Sequence, residues 1–177
     1  FQPPQPIYQI FNPLPPNPPR GANKEKMKDT NFDNKFIIRD YKKGDYPGIM
    51  DLWLAADLGR PERGDNEKII EESIIMGGSL LVMEEKASGK VTGTSWMTFD
   101  GRRIHLHHFG ILPEYQGNGL SKPLLEESLR FVRKKGYQVK IEVHRKNLKA
   151  ISLYKKAGFE YLGDYDVYII RDINKLQ

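Results

Sequence analysis

The chain has 177 residues, no cysteine and a formal net charge of +5. That length suits a single globular domain with an adequate core, and the lack of thiols excludes a disulfide framework, a thiolate metal site and a cysteine nucleophile. No apolar run reaches the ~20 residues of a membrane-spanning helix, and the first residues lack the basic-then-apolar layout of a secretory signal, so a soluble, cytoplasmic protein with no membrane partner is the expectation.

Eight of the twelve prolines fall within the first twenty residues, a composition that favours extended polyproline II and cannot build a core. Residues 1–35 therefore read as a Pro-rich tail or linker: a segment that docks a partner, packs on the domain, or is an appended extension, with Met27 placed as an alternative start. Phe36-Ile37-Ile38-Arg39-Asp40-Tyr41 then reads as a strand, and residues 45–56 as a helix carrying Ile49, Leu52, Trp53 and Ala56 at helical spacing, with Pro47 in its first turn. Asp65 is placed to cap a second helix reaching Ile75, which Gly77-Gly78 ends. Residues 80–85, 91–99 and 104–112 form an antiparallel meander turned at Ser88-Gly89 and Asp100-Gly101.

Residues 121–135 carry Leu124, Leu125, Ser128, Leu129 and Val132 on one helical stripe, and Gly136 stops it. Val139-Lys140-Ile141-Glu142-Val143 is a strand, residues 147–157 a helix ended by Gly158, and residues 159–162 and 167–171 the last two strands. This order predicts one α/β (α+β) domain over residues 36–172, with a mixed, mostly antiparallel central sheet covered by helices on both faces, and a short tail at 173–177.

The most informative segment is Gln116-Gly117-Asn118-Gly119-Leu120-Ser121, set between an apolar strand and an amphipathic helix. Two glycines within four residues permit a tight turn whose successive N–H groups point into one concavity, and the following helix adds the partial positive charge of its N-terminus. Such a turn suits a pyrophosphate. From Ser121 to Ala157 there are eleven Lys or Arg against three Glu, a surplus that would steer a small polyanion. No reading helix or interleaved aromatics of a nucleic-acid binder accompany it, so nucleic acid is not the expected partner.

Three features together resemble the GNAT superfamily of acyl-CoA-dependent N-acetyltransferases, from about Lys35 to Asp172. The run Phe109-Gly110-Ile111-Leu112-Pro113-Glu114-Tyr115-Gln116-Gly117-Asn118-Gly119-Leu120-Ser121 is similar to the family's cofactor signature, with Ser121 where Gly or Ala is usual. Asn147-Leu148-Lys149-Ala150-Ile151-Ser152-Leu153-Tyr154-Lys155-Lys156-Ala157-Gly158-Phe159 resembles its downstream helix, and the spacing and element order also fit. The resemblance implies acetyl-CoA as acyl donor, an amine as acceptor, and cofactor contacts from Phe109, Gly110, Ile111, Gln116, Gly117, Asn118, Gly119, Leu120, Ser121, Asn147 and Tyr154.

Acyl transfer to an amine needs a base for the amine, donors for the developing oxyanion and an acid for the leaving thiolate. The resemblance makes the backbone of Phe109, Gly110 and Ile111, at a strand bulge, the oxyanion site and Tyr154 the acid. Ile141-Glu142-Val143-His144-Arg145-Lys146-Asn147 is similar to the matching stretch of the ribosomal-protein alanine N-acetyltransferases, which implies Glu142 as general base, directly or through water. His105, His107 and His108 are a second base candidate; alternation puts His105 and His107 on one face and His108 on the other until a bulge resets the phase. Two histidines at i, i+2 without a nearby carboxylate are a poor zinc set, so no metal is expected. The acceptor would lie among the loops at 58–65 and 163–166, whose acidic and aromatic groups suit a cationic amine.

Two rival readings remain from the residues alone: a non-catalytic acyl-CoA-binding or protein-interaction module that uses the Pro-rich tail, and a transferase that takes another acyl-CoA. The reading also leaves room for a homodimer.

Overall fold

In a computed structural model, which describes residues 30–163, 166–172 and 174, five strands hydrogen-bond in sequence order: β1 (Phe36–Asp40), β2 (Ser79–Glu85), β3 (Val91–Phe99), β4 (Arg103–Ile111) and β5 (Gln138–Ile141). The first four pair antiparallel, β1 to β2 through a connection that carries two helices and β2 to β3 to β4 through short turns, and β5 lies parallel to β4. A parallel partner requires a crossover, which the helix α4 (Ser121–Lys135) supplies.

The period of two along β2 divides the core. Leu80 and Val82 face α2 (Tyr46–Ala55) and α3 (Glu67–Ile75), with Ile49, Leu52, Trp53, Ile70 and Trp96; Leu81 and Met83 face the opposite side, with Leu106, Leu124, Leu125 and Val132. Each fully buried leucine on these faces contributes about 1.5–3 kcal/mol, so both helix layers are held on the sheet by several such side chains. The expected mixed sheet with helices on both faces is the architecture found. Among the described residues, no helix is long and apolar enough to cross a membrane.

Several boundaries differ from expectation. Residues 30–35, counted with the tail from sequence, form α1 (Thr30–Lys35), whose Phe32 ring stacks on Phe36 with centroids 5.7 Å apart. Residues 1–29 of that expected tail lie outside the described residues. The cap of α3 is Asn66, whose Oδ1 accepts from the N–H of Ile69 at 3.1 Å, and not Asp65. The two final strands are absent among the described residues: Tyr161, Leu162, Val167, Tyr168, Ile169 and Ile170 are exposed and form no ladder. Their aromatic and β-branched character is a preference that only a paired neighbour realises.

Candidate functional site

The strand β5 is short. It pairs with β4 only from Arg103 to Leu106, so the backbone of β4 from His107 to Ile111 continues without a β5 partner. In the same stretch the β3–β4 register slips: Trp96 lies opposite His107, but Thr94 opposite Gly110. That extra residue is the expected bulge: His108 and Phe109 stand opposite the single residue Ser95, and Gly110 and Ile111 rejoin the ladder opposite Thr94 and Gly93. His108 takes the strain at φ +41°, a conformation that costs a non-glycine residue on the order of 1–3 kcal/mol. At Gly110 a Cβ would run into Leu58 Cδ1, so a larger residue there would force the Leu58 side chain, in the loop after α2, to move.

Beyond β4, the amide of Gln116 donates to the carbonyl of Ile111 at 2.9 Å and ties the turn back to the strand. Gly117 and Gly119 adopt φ +82° and +76°, the left-handed region that the two-glycine pattern anticipated. Asn118 Nδ2 donates to the carbonyl of Tyr115 at 3.1 Å. The N–H groups of residues 117–121 donate to no carbonyl among the described residues, and α4 begins at Ser121 without a side-chain cap. Buried Leu120 anchors the turn in the core. This run of free donors at a helix N-terminus fits the diphosphate of an acyl-CoA.

Across the opening stands α5 (Leu148–Lys156). Asn147 caps it, its Oδ1 accepting from the N–H of Ala150 at 3.1 Å, which leaves its amide N–H₂ for a ligand. Tyr154 is 6% exposed, with its ring edge-on to Phe109 at 5.9 Å and to Phe159 at 5.6 Å. Burial pushes its phenol pKa well above the ordinary value, so the hydroxyl stays protonated at neutral pH. The structure thus brings Tyr154 onto the bulged strand.

Glu142 sits differently from expectation. β5 ends at Ile141, so the carboxylate lies just past the strand, half-exposed, 3.5 Å from Lys140 Nζ and 3.8 Å from His105 Nε2. The bulge also resets the strand phase, and all three histidines share the α2–α3 side. The His105 and His107 rings lie 3.9 Å apart, and both His107 and His108 pack on Trp96, at 5.8 and 5.2 Å. Burial, helped by the neighbouring imidazoles, pulls the His107 pKa down to about 3, and burial also lowers His105 and His108. His107 Nε2 lies 2.6 Å from the hydroxyl of Thr98.

His108 rests on Trp53, centroids 4.2 Å apart, and its Nε2 is 3.2 Å from Oδ1 of Asp65. That distance is an ion-pair contact, but its alignment is not that of a hydrogen bond, and Nδ1 has no partner either. Asp65 Oδ2 accepts from the N–H of Arg60 at 2.8 Å, and Gly59 lies so close that a Cβ there would sit 2.7 Å from His108 Nε2. Sequence reasoning missed this pair because Asp65 read as a helix cap. The available signal was Asn66, an equally good cap one residue later, which frees Asp65 to turn inward.

Residues 46–159, more than half of the chain, match the model of the acetyltransferase (GNAT) family. Solved structures share the fold. An acetyltransferase from Streptococcus agalactiae is 23% identical, covering 78% of this chain and 93% of its own, with a TM-score of 0.65. The ribosomal-protein-S18-alanine N-acetyltransferase of Escherichia coli is 21% identical, covering 71% and 77%, with a TM-score of 0.60. A GNAT family acetyltransferase from Elizabethkingia anophelis, determined with acetyl-CoA bound, is 17% identical, covering 72% and 77%, with a TM-score of 0.52.

Proposed function

We propose that this chain, which belongs to the acetyltransferase (GNAT) family, transfers the acetyl group of acetyl-CoA directly to a primary amine held in the same ternary complex. It is an acyltransferase with acetyl-CoA as donor; the acceptor and the direct route are the proposal. What carries the reading is the run of unpartnered N–H groups at residues 117–121, beside the length of β4 that β5 leaves open.

The turn at Gln116, Gly117, Asn118, Gly119, Leu120 and Ser121 holds the diphosphate, and Asn147 offers its amide to the pantetheine arm. The thioester carbonyl then lies against the backbone of Phe109, Gly110 and Ile111, whose N–H groups stabilise the negative charge that develops on its oxygen. The amine nitrogen attacks that carbon, a C–N bond forms and the C–S bond breaks. The amine proton passes to a base, for which Glu142 and the β4 histidines compete, and the departing thiolate takes the phenol proton of Tyr154.

The first test is the thermal midpoint with acetyl-CoA, free CoA and succinyl-CoA. Donor at ~100 times its dissociation constant adds about 2.7 kcal/mol, a rise of roughly 5–10 °C at this size. The second is acceptor-dependent release of CoA thiol. Stabilisation without release for any amine would leave a binding module and overturn the transferase reading.

A further inference from the structure

Of the nine asparagines, only Asn118 precedes a glycine. Gly119 has no side chain to shield its backbone nitrogen, and nothing lies within 4 Å of the place where a Cβ would stand. Its N–H is one of the donors that meet no carbonyl among the described residues, so no ladder or helix bond occupies it. The exposed Asn118 side chain is held only through Nδ2, which donates to the carbonyls of Tyr115 at 3.1 Å and Gln116 at 3.5 Å. The N-terminus of α4 adds its partial positive charge, and Lys122 follows in the first turn. A field that suits a pyrophosphate also stabilises negative charge on the Gly119 nitrogen. The comparable residues elsewhere are tied down. Asn66 and Asn147 accept at Oδ1 from the N–H three residues on, and in the one Asp–Gly pair the Asp100 carboxylate accepts from the N–H groups of Arg102 and Arg103.

We propose that Asn118 is a self-modification site, converted to an acid while the turn is empty and protected while a diphosphate fills it. The Gly119 nitrogen gives up its proton to solvent and attacks Cγ of Asn118. A C–N bond closes a succinimide ring, the bond from Cγ to Nδ2 breaks, and the departing nitrogen takes a proton from water and leaves as ammonia. A second water opens the ring. Its attack at Cγ gives aspartate, and its attack at the main-chain carbonyl gives isoaspartate, whose chain then runs through Cβ.

The inference rests on the reading of this turn as a diphosphate cradle and adds a regulation of it: donor occupancy decides how long the site survives. With the diphosphate bound, the Gly119 N–H donates to it and keeps its proton, so the nucleophile is withheld. Either product sets a carboxylate in the concavity. That charge opposes the phosphates and lowers donor affinity by about tenfold or more.

The experiment incubates the whole protein at 37 °C, at pH 6 and pH 8, with and without free CoA, which carries the diphosphate but no reactive acyl group. Wild type is compared with Asn118→Gln, whose longer side chain closes the corresponding ring far more slowly. Tandem mass spectrometry of the tryptic peptide 104–130 reads the amide-to-acid mass gain at residue 118, and the midpoint rise with acetyl-CoA is measured before and after. The expected results are conversion in the donor-free wild type, faster at pH 8 than at pH 6, several-fold slower with CoA, and a midpoint rise that falls as the acid accumulates. Asn118→Asp should show the reduced rise from the outset, and Asn118→Gln should keep its amide and the rise it starts with. An intact amide in the donor-free wild type, under conditions that convert the excised peptide, overturns the inference and leaves acetyl transfer standing. Equal conversion with and without CoA, in a protein whose midpoint CoA raises, overturns the protection. An undiminished rise in Asn118→Asp overturns the effect on donor binding. A midpoint that no donor raises sinks the diphosphate reading, and this inference with it, even where residue 118 converts.

Discussion

The hydroxyl of Thr94 donates to the carbonyl of His108 at 2.9 Å, and accepts from Nε1 of Trp53 at 2.9 Å. One side chain thus satisfies a carbonyl released by the bulge and an indole N–H in the core, and it joins α2 to the strained residue of β4. Thr94→Val keeps the volume and removes both bonds. The expected cost is about 1–3 kcal/mol for each group left buried and unsatisfied, a fall of several degrees in thermal midpoint. Turnover falls further than the lost stability explains, because the carbonyl of His108 is then free to rotate the bulge. A variant with the wild-type midpoint would show that solvent or a neighbour replaces these bonds.

Two glycine substitutions separate strain from space. No atom lies within 4 Å of a Cβ built at Gly119, so the obstacle to Gly119→Ala is its φ of +76°, worth roughly 1–2 kcal/mol. That variant is expected to fold and to lose most of the midpoint rise given by acetyl-CoA, since the free N–H groups no longer share one concavity. Gly110→Ala is limited by space instead, and Leu58→Ala removes the atom in its way. The double variant Gly110→Ala/Leu58→Ala should therefore be more stable than the sum of the single effects predicts. Additive losses in a double-mutant cycle would show that Leu58 is not the constraint.

The legible parts of this molecule were those encoded by local rules. The continuous apolar run Leu80, Leu81, Val82 and Met83 marked a strand, which the fold buries on both sides, and the tight turn at Gly117 and Gly119 was readable from their spacing. What was not legible depends on partners distant in sequence. Residues 167–170 have the composition of a strand, but composition names no neighbour to pair with. The face on which His108 lies turned on one extra residue in β4; the resemblance implied a bulge there, but only the opposite strand fixes the residue at which the register shifts. Asp65 and Asn66 are both good caps; Asp65 turns inward to accept from the N–H of Arg60 and to meet the distant imidazole of His108, which leaves the cap to Asn66.

Tyr154→Phe tests the acid role with little structural confusion. The ring contacts with Phe109 and Phe159 survive the substitution, so the thermal midpoint and the acetyl-CoA shift should change little. Turnover should fall by about 100-fold, the low end of what a positioned proton donor supplies. Because burial raises the phenol pKa, the wild type should show no alkaline loss of activity from this group below the ordinary tyrosine range. Turnover in Tyr154→Phe equal to the wild type would remove the assignment.

His107 makes stability fall with acidity in a defined window. Its pKa in the fold is about 3, against an ordinary 6.5 when unfolded, so between those values the unfolded chain binds a proton that the folded chain refuses. The neutral ring's stabilisation is complete above pH 6.5 and is lost as pH falls towards 3, at up to ~1.4 kcal/mol per pH unit. Asp45 adds to the loss lower down. The two guanidinium bonds from Arg39, 2.7 and 2.8 Å long, help hold its carboxyl below the usual range, and that contribution disappears as pH falls below about 4. His107→Gln keeps a group able to meet Thr98 and removes the titration. Urea unfolding at pH 7, 6, 5 and 4.5 should show a smaller slope in this variant than in the wild type, and parallel slopes would place the acid sensitivity elsewhere.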